Sequence, residues 1–498
     1  MCLCQFMILL DTTIVNVALP SMQRELGIRP ENLEWVVNAY VVTLTALLLT
    51  GGVLGDRYGR RRLLLVGLAV FTLASAACAL STDDPELILF RAVQGVGAAL
   101  MAPLTLSALT DAYSPEEAPR AIGIWAGVSG LGFAAGPVVG GILVERFDWS
   151  AIFWVNVPIG AAAAALIVHG VRESRSPVAR RLDVVGTLLV TVGLALLVLG
   201  VTGTNTHSWL GARTLGVLAA AAVALAAFVA WEARAPEPML PLSLFARPGF
   251  SPAIVTTTLA YVSLAGILFF ITLYFQDVRG LSPIQAGLAW LPLNVFFLAS
   301  APRAGPLARR FGAERVVVTG MAIAAVATIG LALAGANGYG AYWPWYLPLG
   351  LGYGLATPSI VAAAMRAIEP ARSGVAAGAV NVARQLGSCV GLAVLGSVAV
   401  GVAVNTWSET VADLPPVSRP AAAALGQAVA GGQTSVVERA LGPAAAGAAG
   451  HAFVDGMRAA LWVAAGALVL GALTGGIGAA RGHRTHAVAP EHAQAMSR

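Results

Sequence analysis

Three charges stand in stretches that otherwise have none. Asp11 lies within LDTTIVNVALP, Arg91 within LILFRAVQGVGAA, and Arg384 within NVARQLGSCVG beside Asn381 and Gln385. A carboxylate at the centre of a lipid-spanning helix costs about 2.5–3.5 kcal/mol on insertion scales, so it normally meets a partner or a water-filled cavity. Counted at the helical rise from Pro20 and Pro85, Asp11 and Arg91 lie at depths of roughly 13 and 9 Å, where they can meet. An arginine favours the ionised acid and desolvation favours the neutral one, so a cavity that opens and closes around such a pair moves a proton on and off. A purely structural polar contact is the plainer alternative.

Hydrophobic residues make up 57% of the 498-residue chain and charged residues 11%, against about 25% charged in a soluble domain. Lipid is therefore the solvent for most of it. A helix crosses a hydrocarbon core of roughly 30 Å with about 20 apolar residues, and fourteen apolar runs of that order, nearly free of charge, follow one another from 2–20 to 457–480. The expected fold is all-α and polytopic. The basic residues, all arginine, gather in alternate loops, while the short loops on the other side hold Arg24, Arg29, Arg146, Arg213 and Arg279. Because retained loops are the basic ones, both termini are expected inside the cell. No basic residue precedes the first run, which leaves room for a start upstream of Met1. Nothing resembles a cleaved signal peptide.

The stretch Gly52–Leu64, GVLGDRYGRRRLL, packs five charges between two uncharged runs and reads as a short cytoplasmic loop. Its frame returns at Gly305–Val317, GPLARRFGAERVV, where Gly52, Leu54, Arg57, Gly59 and Arg62 have identical counterparts but Asp56 is replaced by Arg309. A second echo links Gly95–Pro103 to Gly350–Pro358. The chain is thus read as a duplication: a six-helix bundle over 1–172, two inserted helices over 173–250, a second six-helix bundle over 251–480 and a tail over 481–498. A long segment, 405–455, is expected outside as a helical hairpin or a mobile stretch. Parallel six-helix repeats place a binding site near the bilayer midplane between them, which is a transporter architecture.

Helix 5 carries Gly132, Gly136 and Gly140 at every fourth position, with Pro137 and Gly141 beside them. A face stripped of side chains lets another helix approach and a proline bends it; it serves tight packing alone, or is the surface on which the two halves slide. Arg384 has no acid in its own half, so it faces the cavity or pairs across. Asp11, Arg91 and Arg384 sum to one positive charge, which gives no reason to expect a cationic substrate. The candidate path comprises Asn38, Tyr40, Trp125, Tyr261, Asn294, Arg384 and Gln385; Tyr274, Trp290 and Tyr353 are further aromatic candidates, more often packing.

Other chemistries are excluded. Without lysine there is no Walker A loop and no Schiff base. Cys2, Cys4, Cys78 and Cys389 fall in apolar runs and read as buried hydrophobes. The histidines are scattered or, like His483, His486 and His492, lie in the tail, so no metal site is read. Gly130 and Gly132 lack the strand that a dinucleotide loop needs. The dispersed arginines set topology and give no reason to expect nucleic acid.

These residues resemble the motifs of the major facilitator superfamily, and in particular its fourteen-helix drug:proton antiporters of the EmrB/QacA type. The resemblance rests on Gly52–Leu64, on Leu87–Ala99, on Gly132–Gly141 in helix 5, and on LDTTIVNVALP, WVVNAY and FWVNVPIG, in the family's order along nearly the whole chain. It implies a multi-pass protein of the cytoplasmic membrane with two six-helix bundles and two inserted helices. It also implies efflux of a lipophilic compound in exchange for protons by alternating access, without enzymatic chemistry or a cofactor. Carried over by residue, proton coupling falls on Asp11 and Arg91, a conformational latch on Gly52, Asp56, Arg57, Gly59 and Arg60, and the antiporter helix on Gly132, Gly136, Pro137 and Gly140. Some multidrug members use further acids near helix 13; NVARQLGSCVG has none, which argues against dicationic drugs. Expected partners are the bilayer, a lipophilic small molecule and protons, with a monomer sufficient. The alternatives are an uptake symporter, disfavoured by helix 5, and a transport-inactive sensor, disfavoured by buried charges that such a protein has no need to keep.

Overall fold

The computed structural model describes residues 1–26, 30–114, 116–175, 183–202, 211–236, 238, 240, 242–247, 249–366, 368, 373–412 and 419–495. Among them every regular element is helical. The long helices are α1 (Cys2–Leu26), α2 (Pro30–Tyr58), α3 (Arg60–Ala79), α4 (Asp84–Ala112), α5 (Ala118–Arg146), α6 (Asn156–Gly170), α7 (Val184–Thr202) and α8 (Ala212–Glu232). They continue with α9 (Phe250–Leu273), α10 (Leu291–Phe311), α11 (Ala313–Ala334), α12 (Tyr339–Arg366), α13 (Ser373–Ala412) and α14 (Pro443–Ala495). Eleven helical stretches are long and apolar enough to cross a membrane. α1 contributes only the shorter apolar stretch Cys2–Val15, and α10 carries Arg303, Arg309 and Arg310.

The duplication is written into the packing. α2 lies on α4 as α10 lies on α12, α3 on α4 as α11 on α12, and α1 on α5 as α9 on α13. Glycines make these crossings, because without a Cβ the backbones of two helices can touch. A methyl group on Gly95 would meet the Tyr40 carbonyl and one on Gly350 the Leu293 carbonyl; Gly97 abuts Gly67 and Phe71, and Gly352 abuts Gly320 and Ala324. The halves meet through the same positions, with α5 against α10 and α13 against α2. There Gly123 faces the Ala301 carbonyl, and Gly378 faces that of Leu48. α7 and α8 pair with each other, and α7 also packs on α2 and α13.

Gly52–Leu64 is not a loop. Residues through Tyr58 complete α2, Arg60 begins α3, and Gly59 alone turns the chain. The charges need no loop: Arg62 is exposed at the helix end, while Arg60 and Asp56 are buried against each other within the helices. Gly59 has φ 110° and ψ 127° and Gly312, joining α10 to α11, has φ 91° and ψ 139°, the same glycine-only joint in both halves. A Cβ on Gly59 would also strike the Glu173 carboxylate, whereas one on Gly312 meets only Glu314 Oε2 at 3.5 Å. Gly59→Ala should therefore lower stability by about 1–3 kcal/mol, the scale of such backbone strain, and by more than Gly312→Ala. Thermal unfolding of both variants in one detergent checks the order.

The segment 405–455 is folded where it is described. α13, at 40 residues, reaches about 60 Å, twice the hydrocarbon thickness, and continues into short helices at Arg419–Ala424, Gly426–Ala430 and Thr434–Leu441. Trp407, Val411, Ala422, Val429, Val437, Ala449 and Ala452 form its own apolar cluster. Thr434 Oγ1 donates to the Asp277 carbonyl at 2.8 Å, in the π-helical turn Tyr274–Val278 that ends α9. Residues 413–418 lie outside the described ones.

Candidate functional site

Asp11 and Arg91 meet. Arg91 Nη1 donates to Asp11 Oδ2 at 2.6 Å, and both side chains are almost fully enclosed. Asp11 Oδ1 accepts from Gln94 Nε2 at 2.9 Å and from Asn156 Nδ2 at 3.3 Å. Arg91 makes two further bonds: Nε donates to the Val36 carbonyl at 3.0 Å and Nη1 also reaches Gln94 Oε1 at 2.7 Å. The Tyr40 ring lies 4.4 Å from the guanidinium and the Phe153 ring 5.7 Å. Asn156 Nδ2 donates also to Ser75 Oγ at 3.0 Å, and Ser75 to the Phe153 carbonyl at 2.9 Å. α1, α2, α3, α4 and α6 thus converge on one neutral ion pair inside the first half.

Three donors face the carboxylate, which is the satisfaction an ionised acid needs in a dry interior. On the amide of Asn156 that donates to Asp11, Oδ1 is buried without a hydrogen-bond partner among the described residues. A protonated Asp11 would carry an O–H, the donor such an acceptor lacks.

Gln94, Asn156 and Ser75 were not singled out from the sequence. Gln94 follows Arg91 by three residues and so shares its helix face, and Asn156 is the polar residue in FWVNVPIG. Those signals were present, but an amide in a helix points to no particular partner. Tyr40, expected on the substrate path, belongs instead to the ion pair: its ring stacks on Arg91 and its hydroxyl donates to the Ile8 carbonyl at 3.3 Å.

Arg384 stands between the halves. Its guanidinium lies 4.9 Å from the Tyr261 ring of α9 and 5.5 Å from the Trp125 ring of α5. It lines a small pocket with Thr257, Ala260, Tyr261, Thr357, Ile360 and Val361. The other path candidates lie apart. Asn294 gives its amide to the Trp290 carbonyl one turn back at 2.9 Å, and Gln385 Nε2 is 4.0 Å from Cys389 Sγ. Asn38 is half-buried on α2.

At the Gly59 end, Arg60 donates to Asp56 Oδ1 from Nε at 3.0 Å and from Nη2 at 2.8 Å, and its Nη1 lies 3.4 Å from Asp111 Oδ1. Glu173 accepts the backbone N–H groups of Arg61 and Arg62 at 3.1 and 3.2 Å, capping α3. Arg57 stacks on its neighbour Tyr58, and Gly52 is buried. In the repeat, Arg309, standing where the acid has been lost, crosses between the halves: its Nη1 donates to the Glu116 carbonyl at 2.8 Å.

The glycine face of α5 does not seal the halves. Gly132 abuts Phe6, Gly136 abuts Thr13 and Gly140 abuts Ile14, all on α1, the helix of Asp11. Pro137 lies in the same helix. The face toward α10 carries Gly123, Gly127 and Gly130 instead, against Ala301, Leu298 and Phe297. α5 is thus smooth on two sides, one touching the acid's helix and the other the second half.

Residues 1–392 match the family model described as the Major Facilitator Superfamily. The chain is 38% identical to the tetracenomycin C resistance and export protein of Streptomyces glaucescens over 427 residues, 84% of this chain and 79% of that one. It is 39% identical to the cephamycin export protein CmcT of Amycolatopsis lactamdurans over 408 residues, 79% of this chain and 82% of that one. Among solved structures, the proton:xylose symporter XylE shares the fold with a TM-score of 0.60 at 14% identity, covering 95% of this chain and 93% of that one.

Proposed function

The chain belongs to the Major Facilitator Superfamily, and on that premise we propose that it exports a lipophilic small molecule, of the drug or antibiotic class its relatives are named for, from the cell in exchange for protons. The observation that carries the reading is the buried Asp11–Arg91 pair, set among the helices of one half, apart from the Arg384 pocket that α9, α12 and α13 line, whose arginine also lies over Trp125 of the first half. Two sites joined by one moving element are what an exchanger needs.

The joining element is α5. A proton on Asp11 cancels the carboxylate that holds Arg91, while Asn156 Oδ1 gains a donor; α1 then shifts against the glycines Gly132, Gly136 and Gly140. The other face of α5 passes the shift to α10. The pocket at Arg384 has only about 10 Å3 of enclosed space, far below the roughly 300–1,000 Å3 that drug-sized ligands occupy, so substrate enters and leaves when the halves part. With the termini inside, the Gly59 and Gly312 joints lie on the cytoplasmic face, where Asp56, Arg60 and Arg309 hold the closed side. Asp56→Asn should slow turnover by roughly tenfold, about 1.4 kcal/mol on the barrier, with substrate affinity kept. Lost affinity in a well-folded variant contradicts the latch.

The reading is tested by reconstitution in vesicles with an acid lumen, in which lipophilic dyes and antibiotics are screened for entry together with proton exit. Entry coupled to alkalinisation of the lumen supports exchange. Co-movement of proton and solute in one direction supports symport and overturns it.

A further inference from the structure

We propose that Arg384, held between the rings of Trp125 and Tyr261, is the recognition point for an aromatic anion, a planar carboxylate or acidic phenol, so that the exported substrate is acidic and not cationic. The proposal rests on the export reading above and names the class of molecule its cavity takes.

A guanidinium in apolar surroundings is costly unless an anion or several good acceptors accompany it. Around Arg384 these are missing among the described residues. No carboxylate pairs with it, and its side-chain hydrogen bond is the weak one to Asn381 Oδ1, at 3.4 Å. Arg91, fully buried where Arg384 is half-buried, has an acid, an amide oxygen and a carbonyl. The first half satisfies its arginine internally, whereas the second leaves Arg384 to be satisfied by what enters the cavity.

The walls narrow the class. The Tyr261 ring lines the pocket and offers a face to a flat ring, and a guanidinium can donate two parallel hydrogen bonds to a carboxylate or phenolate lying in its plane. Thr357 borders the cavity and makes no side-chain hydrogen bond among the described residues, which leaves a hydroxyl for a second oxygen. Thr257 donates to the Ala253 carbonyl at 2.7 Å and presents only lone pairs. No acid lines the cavity, so a cation would meet Arg384 as a like charge. Because Trp125 belongs to the first half, an anion that draws Arg384 from that ring also loosens a contact between the halves.

Fluorescein and rhodamine 6G share a xanthene core and differ in the sign of their charge, so they separate charge from shape. Binding of each to the purified protein in nanodiscs is read by fluorescence anisotropy. The wild type should favour fluorescein by at least about tenfold, the scale of a charge-assisted hydrogen bond. Arg384→Gln should remove that preference by weakening fluorescein alone. Arg384→Lys, which keeps the charge but not the planar fork, should fall between. Matching melting temperatures confirm that the variants are folded. Tighter binding of rhodamine 6G, equal binding of both dyes, binding of neither, or unchanged fluorescein affinity in Arg384→Gln overturns the proposal. Proton-coupled transport of both dyes without charge preference sinks this inference and leaves the export reading standing. Arg384-dependent fluorescein binding with no transport of any compound does the reverse.

Discussion

Asp11→Asn leaves a folded protein that binds substrate and no longer exchanges it for protons. The amide keeps the shape of the acid and resembles its protonated form in charge, so the variant is fixed in one of the two states between which the wild type alternates. Its oxygen can still accept from Arg91, while its NH2 group replaces the oxygen that accepts from Gln94 Nε2 and Asn156 Nδ2, so those two amides must turn their oxygens toward it. The expected loss of proton-driven transport is at least about 100-fold, the lower end for a positioned proton-transfer group, while substrate affinity changes by little because Asp11 is not among the residues lining the Arg384 cavity. Transport assays and equilibrium binding on the same preparation check both parts. Wild-type proton-driven transport by the variant would end the proposed role.

Arg91→Met has the opposite profile, a large effect on stability. It strips a buried carboxylate of its cation, removes the arginine's donation to the Val36 carbonyl, and leaves Gln94 Oε1 with only the Cys78 thiol at 3.9 Å. Breaking a buried pair by removing one partner costs about 3–5 kcal/mol, whereas replacing both partners by apolar residues is often neutral. The double variant Asp11→Leu with Arg91→Met should therefore recover much of the lost stability and none of the transport. Thermal unfolding of the two singles and the double forms a cycle; a double variant as unstable as the sum of the singles would mean that the pair is not coupled. Recovery without function separates the structural contribution of the ion pair from its proposed part in moving a proton.

Much of the architecture is legible in the order of residues. Runs such as Phe250–Leu273 are apolar for the width of a bilayer, and the repeated frame around Gly59 and Gly312 marks two joints that share one backbone conformation. The depth of Asp11 and Arg91 along their helices brings them level because helical rise is nearly constant. What the sequence leaves open is direction about the helix axis. The spacing of Gly132, Gly136 and Gly140 announces a smooth face, but which neighbour uses it depends on how α5 is rotated, and it is α1 rather than the second half. For the same reason Tyr40 turns toward Arg91 and away from the cavity. The charges of Gly52–Leu64 suggested a loop because charge is usually looped out of lipid; the helix simply runs on until Gly59 permits a turn. Asn156 reaches Asp11 across 145 positions of chain, a contact that no local pattern encodes.

That proton movement through Asp11 drives substrate export is tested most directly by recording lumenal pH in substrate-loaded proteoliposomes as substrate leaves. Each addition of an outward substrate gradient should acidify the lumen in wild-type vesicles, and the signal should vanish in Asp11→Asn vesicles that still bind substrate. Equal acidification in the two, or alkalinisation in the wild type, would contradict the account.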